Sequence, residues 1–251
     1  MTVSFIVTSY NYAKYISETI ESIKNQTYRD FEIIVVDDFS NDNSVEILEK
    51  IDGIKLMKHR ENKGQLASII SGLKAVNGEF VSIVDSDDTI KPEYAQILVN
   101  KLQESNIALV TCNCNEDKLL TLQNAKFGGW WWSPMSCGMF KKSFLDCVLE
   151  YKNTDLWKIC PDKFLFNLAH LQGNSMIITD KLVYKREHEN NAGKVKNRFW
   201  INLKNNLIIR HEALTIIKDS QLRKNINKSY FHLFNQILQF VWLKNQNSIT
   251  K

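Results

Sequence analysis

Two short apolar runs, each ending in a cluster of carboxylates, set the terms for this chain: "FEIIVVDD" at residues 31–38 and "FVSIVDSDD" at residues 80–88. Continuous β-branched runs of this length are typical of strands covered on both faces, as in the parallel sheets of α/β proteins. The flanking sequence agrees. Val3 to Ser9 reads as a strand, and Tyr15 to Gln26 carries Ile16, Ile20 and Ile23 at helical spacing. Val45 to Ile51 reads as a short helix, Ile54 to His59 as a strand and Gln65 to Val76 as a helix. Pro92 opens a further helix, and Ile107 to Asn113 forms another strand. Strand and helix in alternation predict a mainly parallel sheet flanked by helices. The 251 residues suffice for one sizeable domain with an extension.

Ligands of such sheets bind beyond the C-terminal ends of the strands. Asp37 and Asp38 end one strand there, and Asp85, Asp87 and Asp88 end another. So many like charges in one place are stable when a divalent cation neutralises them, and an all-oxygen donor set suits Mn²⁺ or Mg²⁺ together with substrate phosphates. The plain alternative is a solvated acidic turn that caps the following helix. A calcium loop starting at Asp38 is rejected, since position 6 is Asn43 rather than Gly and a strand leads into it.

Several motifs in order make the reading specific. "VSFIVTSYNYAKYISETIESIKNQTYRDFEIIVVDDFSND" and "ENKGQLASIISGLKAVNGEFVSIVDSDDTIKPE" resemble successive blocks of family 2 glycosyltransferases of the GT-A fold, the second with its Asp-x-Asp motif. The resemblance is strong over about 110 residues. It implies an inverting, metal-dependent transfer of sugar from a nucleotide-sugar donor, with a UDP-sugar expected, to a saccharide or lipid-linked saccharide. By the same resemblance Thr8, Tyr10, Asp38, Gly64 and Asp87 bind the nucleotide, and Asp88 with Asp87 holds the metal. Asp162, opening the helix "PDKFLFNLAHLQG", falls where the family places its base; Asp155 is the runner-up. Trp131 and Trp132 fall in the acceptor block, and His188 in "YKREHENNAG" matches a stretch near the diphosphate or metal. One departure stands out. Where the family often carries Arg and Asn, this chain has Ile69 and Ile70; Gln65, Lys63 and Arg60 are the substitutes weighed, and the sequence does not choose among them.

The expected organisation is a GT-A catalytic domain at 1–190, with a nucleotide-sugar half at 1–113 and an acceptor half at 114–190, followed by a basic, mainly helical extension at 191–251. Residues 1–180 hold 18 Lys/Arg against 24 Asp/Glu, whereas 181–251 hold 14 against 4. Ile226, Tyr230, Phe234, Leu238 and Val241 form an apolar stripe in that basic segment. Two readings stand: a helix packed on the domain or in a homodimer, and a peripheral helix on an anionic membrane. A nucleic-acid partner is not expected, because those aromatics fall at core-like spacing.

Five scattered cysteines without a Cys-x-x-Cys pair, and an N-terminus without a signal-peptide pattern, read as a reduced cytoplasmic protein, peripheral on the inner face of the membrane under the second reading. Among other enzymes, a dehydrogenase lacks its Gly-rich fingerprint and a nucleotidyltransferase its Gly-rich phosphate loop after the first strand, although the latter stays as an alternative. A non-catalytic sugar-nucleotide-binding protein, or a membrane-associated partner, is the alternative from another class.

Overall fold

A computed structural model describes residues 1–104, 107–115, 133–158, 161–188, 208–209 and 211–217. Contacts divide the chain into two compact units, one of Met1–Lys118 with Ser133–Lys194 and the other of Leu119–Trp132 with Val195–Lys251. In the second unit, residues 208–209 and 211–216 are helical, and Ile209, Ala213 and Ile217 are buried at a spacing of four. Trp131, Trp132 and the apolar stripe from 226 to 241 lie outside the described residues.

The first unit is built on a sheet. Its strands are β1 (Val3–Ser9), β2 (Phe31–Asp37), β3 (Lys55–Lys58), β4 (Phe80–Asp85), β5 (Thr89–Ile90), β6 (Ile107–Cys114), β7 (Gly138–Lys141) and β8 (Asn174–Tyr184). Their order across the sheet is β3-β2-β1-β4-β7-β6-β8-β5. The β3-β2-β1-β4 half is parallel throughout. At β4 the pattern changes, because β7 pairs antiparallel with both β4 and β6. Beyond it β6 and β8 are parallel again, and β5 is antiparallel to β8. The nucleotide half is thus parallel, as strand–helix alternation predicts, and antiparallel pairs enter only beyond β4.

Among the described residues, five α-helices flank the sheet: α1 (Ile16–Lys24), α2 (Ser44–Leu48), α3 (Gln65–Leu73), α4 (Tyr94–Leu102) and α5 (Asp162–Gln172). Both faces of β1 are covered, which is why Val3 to Ser9 is buried at every position. Phe5 and Val7 on one face join Ile16, Ile20 and Ile23 of α1 in a common core. Toward the other face, Leu66, Ile69 and Leu73 of α3 are buried. Gly72 lets that helix approach closely, since a Cβ there would lie 2.7 Å from Cγ2 of Ile6. Burial of one Leu or Ile side chain contributes about 1.5–3 kcal/mol, so these two layers dominate the stability of the nucleotide half.

This packing positions the acidic turn. Thr19 of α1 is fully buried and donates its hydroxyl proton to the carbonyls of Ser86 at 3.0 Å and Asp88 at 2.8 Å. Gln26, just past the helix, donates to the carbonyl of Lys91 and accepts from the Ala95 amide. The turn after β4 is thus fastened to the element behind it.

Candidate active site

The carboxylates of the two strand ends have different surroundings. Asp37, 1% exposed, accepts from both the amide and the hydroxyl of Ser40 and so builds the turn that follows β2. That turn contains Phe39 at a φ of 69°, a left-handed conformation unusual for a bulky residue, with the side chain 54% exposed. Ser40 also accepts from the Asn11 amide, and Asn11 accepts from that of Asn41. These bonds hold Phe39 in its strained position.

Asp38 is 4% exposed and is gripped by three donors. The amides of Lys63 and Gly64 donate to its two oxygens at 2.9 and 2.7 Å. Nδ1 of His59 lies 2.7 Å from Oδ1, and Nε2 of that ring lies 2.9 Å from Oγ of Ser71. Gly64, at a φ of 86°, is the residue before α3, and its Cα side abuts the backbone of Lys158. Thr8 is nearly buried at the end of β1, whereas Tyr10 is 43% exposed at the rim beyond it.

The Asp-x-Asp turn forms the second cluster. Gln65 places its amide nitrogen 2.7 Å from Oδ1 of Asp85 and 3.4 Å from Oγ1 of Thr8, joining the ends of β1 and β4. Burial raises the Asp85 carboxyl well above its usual range, and the charges of Asp88, Asp87 and Asp162 add to the effect. Asp162 thus belongs to this cluster although it is remote in sequence. It is 7% exposed at the start of α5, where an acidic residue suits the positive end of the helix.

Asp88 is 2% exposed and accepts from the hydroxyl of Ser136 at 2.7 Å and the amide of Arg186 at 3.2 Å. Burial and the neighbouring Asp87 nevertheless lift its carboxyl from 3.8 to about 7. Asp87 faces His188, whose Nε2 lies 2.7 Å from Oδ2. The imidazole stacks on Tyr15 at a centroid distance of 5.4 Å and meets Tyr12 edge-on. Burial, with the charges of Asp87, Asp85 and Asp88, drives the Tyr12 phenol well above its ordinary value. Arg186 lies over the Tyr15 ring, and its guanidinium donates to Glu18.

Among the described residues no three His, Cys, Asp or Glu side chains form an arrangement that could hold a metal ion by themselves. Asp87 and Asp88 still fit Mn²⁺ or Mg²⁺ as a partial site. Both are hard oxygen ligands, the excess negative charge that raises Asp85 and Asp88 is the kind a cation relieves, and Mg²⁺ commonly takes one or two carboxylates with the remainder from phosphates and water. A surface cavity of about 470 Å³ opens beside β5 and β8, lined by residues including Ile90, Pro92 and Val183 and by none of these carboxylates.

Sequence reasoning named the acidic residues, Thr8, Gly64 and His188, and these fall around the ends of β1, β2 and β4. It missed Thr19, Ser136, His59 and Arg186. Ser136 lies 48 positions from Asp88 and reaches it only because the turn before β7 returns beside β4. No local pattern signals that contact. Ile69 and Ile70, at the positions where the resemblance leads one to look for Arg and Asn, are 0% and 6% exposed and belong to the core. Gln65 is the polar residue of α3 that does reach the acidic turn.

The profile of the family described as Glycosyl transferase family 2 matches residues 4–148, more than half of the chain. The chain belongs to glycosyl transferase family 2. The span of family 2 similarity contains Thr8, Asp38, Gly64 and the Asp85–Asp88 turn, while Asp162 and His188 lie beyond it. An uncharacterized glycosyltransferase from Nostoc sp. is 29% identical over 212 residues, covering 75% of this chain and 65% of its own length. Glycosyltransferase GlyG from Streptococcus pneumoniae is 40% identical over 115 residues, covering 44% of this chain and 38% of its own. The UDP-Glc:alpha-D-GlcNAc-diphosphoundecaprenol beta-1,3-glucosyltransferase WfgD of Escherichia coli is 34% identical over 113 residues, covering 44% of this chain and 45% of its own. The chain spans less than two thirds of the length of each. In fold it is similar to Staphylococcus aureus TarS 1–349 in complex with UDP-GlcNAc, with a TM-score of 0.67 and 24% identity over 96% of this chain and 73% of that one. A mannosyltransferase from Pyrobaculum calidifontis in complex with GDP-Man and Mn²⁺ gives a TM-score of 0.64 at 19% identity, covering 92% of this chain and 69% of that one. These likenesses establish a GT-A type of fold. Among the described residues no helix is long and apolar enough to cross a membrane.

Proposed function

We propose that this chain transfers a glycosyl group from a nucleotide-sugar, with a UDP-sugar as first choice, to a hydroxyl of a saccharide or lipid-linked saccharide, inverting the anomeric configuration. The observation that supports the reading is Asp162, nearly buried at the start of α5 and near enough to the 85–88 turn that its charge adds, after burial and the charges of Asp88 and Asp87, to the rise of the Asp85 carboxyl. A carboxylate beside that turn suits the base that a displacement at the anomeric carbon requires.

Asp162 takes the proton of the acceptor hydroxyl while the hydroxyl oxygen bonds to the anomeric carbon. The bond from that carbon to the β-phosphate oxygen breaks, and the electron pair leaves with the nucleoside diphosphate. Asp38 and the loop it grips, with Thr8 and Tyr10, receive the nucleoside; Asp87 and Asp88 face the diphosphate, and His188 lies against Asp87. Mn²⁺ or Mg²⁺ held by Asp87 and Asp88 would offset charge on the departing diphosphate. WfgD takes a UDP-sugar by its name, and the two structural neighbours hold UDP-GlcNAc and GDP-Man, which supports a nucleotide-sugar donor. Such a reaction suits the assembly of cell-surface polysaccharide, on the cytoplasmic side where nucleotide-sugars serve as donors.

The test is release of nucleoside diphosphate from UDP-, dTDP- and GDP-sugars by the full chain, with and without chelator. Turnover of one donor that disappears in chelator is expected. No release from any of the three, with or without an oligosaccharide acceptor, would overturn the reading.

A further inference from the structure

We infer that His59 is a positioning residue for donor recognition, acting through Asp38 and the loop 59–64; the inference rests on the nucleotide-sugar reading above. Asp38 does not stand free at the rim. His59, Lys63 and Gly64 already occupy its oxygens, so most of its acceptor capacity is spent on protein. The carboxylate therefore does two things: it offers what capacity remains to a ligand, and it fixes the backbone that leads into α3. The His59 ring sets its orientation, because it is the side chain that holds Oδ1 from outside that loop-closing pair of amides.

The residue is anchored at both backbone and ring. The backbone amide of His59 donates to the carbonyl of Asp37, and Nε2 of the ring meets the hydroxyl of Ser71 on α3. With Nδ1–H donating to Asp38, Nε2 accepts from Ser71, and the tautomer and the ring plane are both fixed. The side chains of His59 and Asp38 are 11% and 6% exposed, which protects the arrangement from competition by water.

The geometry leads on to the donor. Gly64 and Gln65 follow directly, and Gln65 reaches Asp85 and Thr8. A rotated Asp38 loosens the Lys63 and Gly64 amides, and with them the start of α3 and the Gln65 bridge. The order Ser71–His59–Asp38 also matches a hydrolytic triad. Ser71 lies within α3, however, where the neighbouring amides are engaged in helical bonds and cannot stabilise an oxyanion.

The experiment measures binding of UDP, dTDP and GDP by calorimetry in MgCl₂, and then donor KM and kcat with the best-bound nucleotide's sugar. His59→Ala is expected to weaken the nucleotide about tenfold and raise KM while kcat changes little, because the residue touches no reacting atom. His59→Asn returns a donor near the Nδ1 position and is expected to recover to within about threefold of the natural protein. Thermal unfolding separates this effect from lost folding. If His59→Ala does not fold, Ser71→Ala, which removes one bond to the ring, should weaken binding by about threefold.

Unchanged affinity in the folded His59→Ala protein, or in Ser71→Ala where that substitutes for it, overturns the inference. So does a His59→Asn protein no better than His59→Ala. Absence of binding by the natural chain to all three nucleotides instead overturns the donor reading and this inference with it.

Discussion

Oγ of Ser136 donates its proton to Oδ2 of Asp88 at 2.7 Å and itself accepts from the amide of Asp85 at 3.0 Å. One fully buried hydroxyl thus ties both ends of the acidic turn to the segment before β7. Its loss in Ser136→Ala leaves a buried amide and a buried carboxylate each short of a partner, at a cost of about 1–3 kcal/mol. We expect a lower unfolding temperature together with a fall in turnover of roughly tenfold, as Asp88 shifts. Thermal unfolding and donor turnover measured on the same preparation check this. Natural stability in the variant would mean that the hydroxyl is dispensable.

Gly64 has no room for a side chain. Its φ of 86° is already unfavourable for other residues, and a Cβ would lie 2.9 Å from Cα of Lys158. Gly64→Ala should cost about 2 kcal/mol or more and weaken nucleotide binding, because the Gly64 amide is one of the donors to Asp38. Denaturant unfolding gives the stability and calorimetry the binding. A neutral substitution would show that the loop 59–64 adapts freely.

Phe39 makes the opposite case. An exposed aromatic at a φ of 69° costs about 1–2 kcal/mol that Gly does not, offset in part by the greater chain entropy of Gly, about 0.5–1 kcal/mol. Phe39→Gly should therefore stabilise the fold slightly, raising the unfolding temperature by about 2 °C. A fall would show that the ring is held by contacts that outweigh its strain. A rise accompanied by weaker nucleotide binding would mean that the strain serves the ligand.

What the sequence revealed follows from how local each signal was. β1, β2 and β4 are continuous apolar runs ending in named polar residues, so both their place and the rim they build were legible. α1 and α5 announced themselves by periodicity and, for α5, by Pro161 and Asp162 at its start. β7 has four residues and β5 two, too few for alternation to register, and the antiparallel insertion beside β4 went unread. The site divides in the same way. Asp38, Asp85, Asp87 and Asp88 are visible as strand-end charge. Thr19 and Ser136 hold the turn across 69 and 48 positions of sequence, and look like ordinary small polar residues in isolation. His59 was read as the end of a strand; its bond to Asp38 depends on β3 pairing beside β2 in a particular register.

Asp162 is the base of the proposed reaction. Asp162→Asn keeps the size and the position at the start of α5 while removing the basicity. The direct measurement is single-turnover sugar transfer by Asp162→Asn, paired with nucleotide binding and with Asp155→Asn as a control on an exposed carboxylate of the same region. A loss of about 10²-fold or more in transfer is expected for Asp162→Asn with nucleotide affinity preserved, and near-natural transfer for Asp155→Asn. Natural transfer by Asp162→Asn, together with loss in Asp155→Asn, would contradict that role for Asp162.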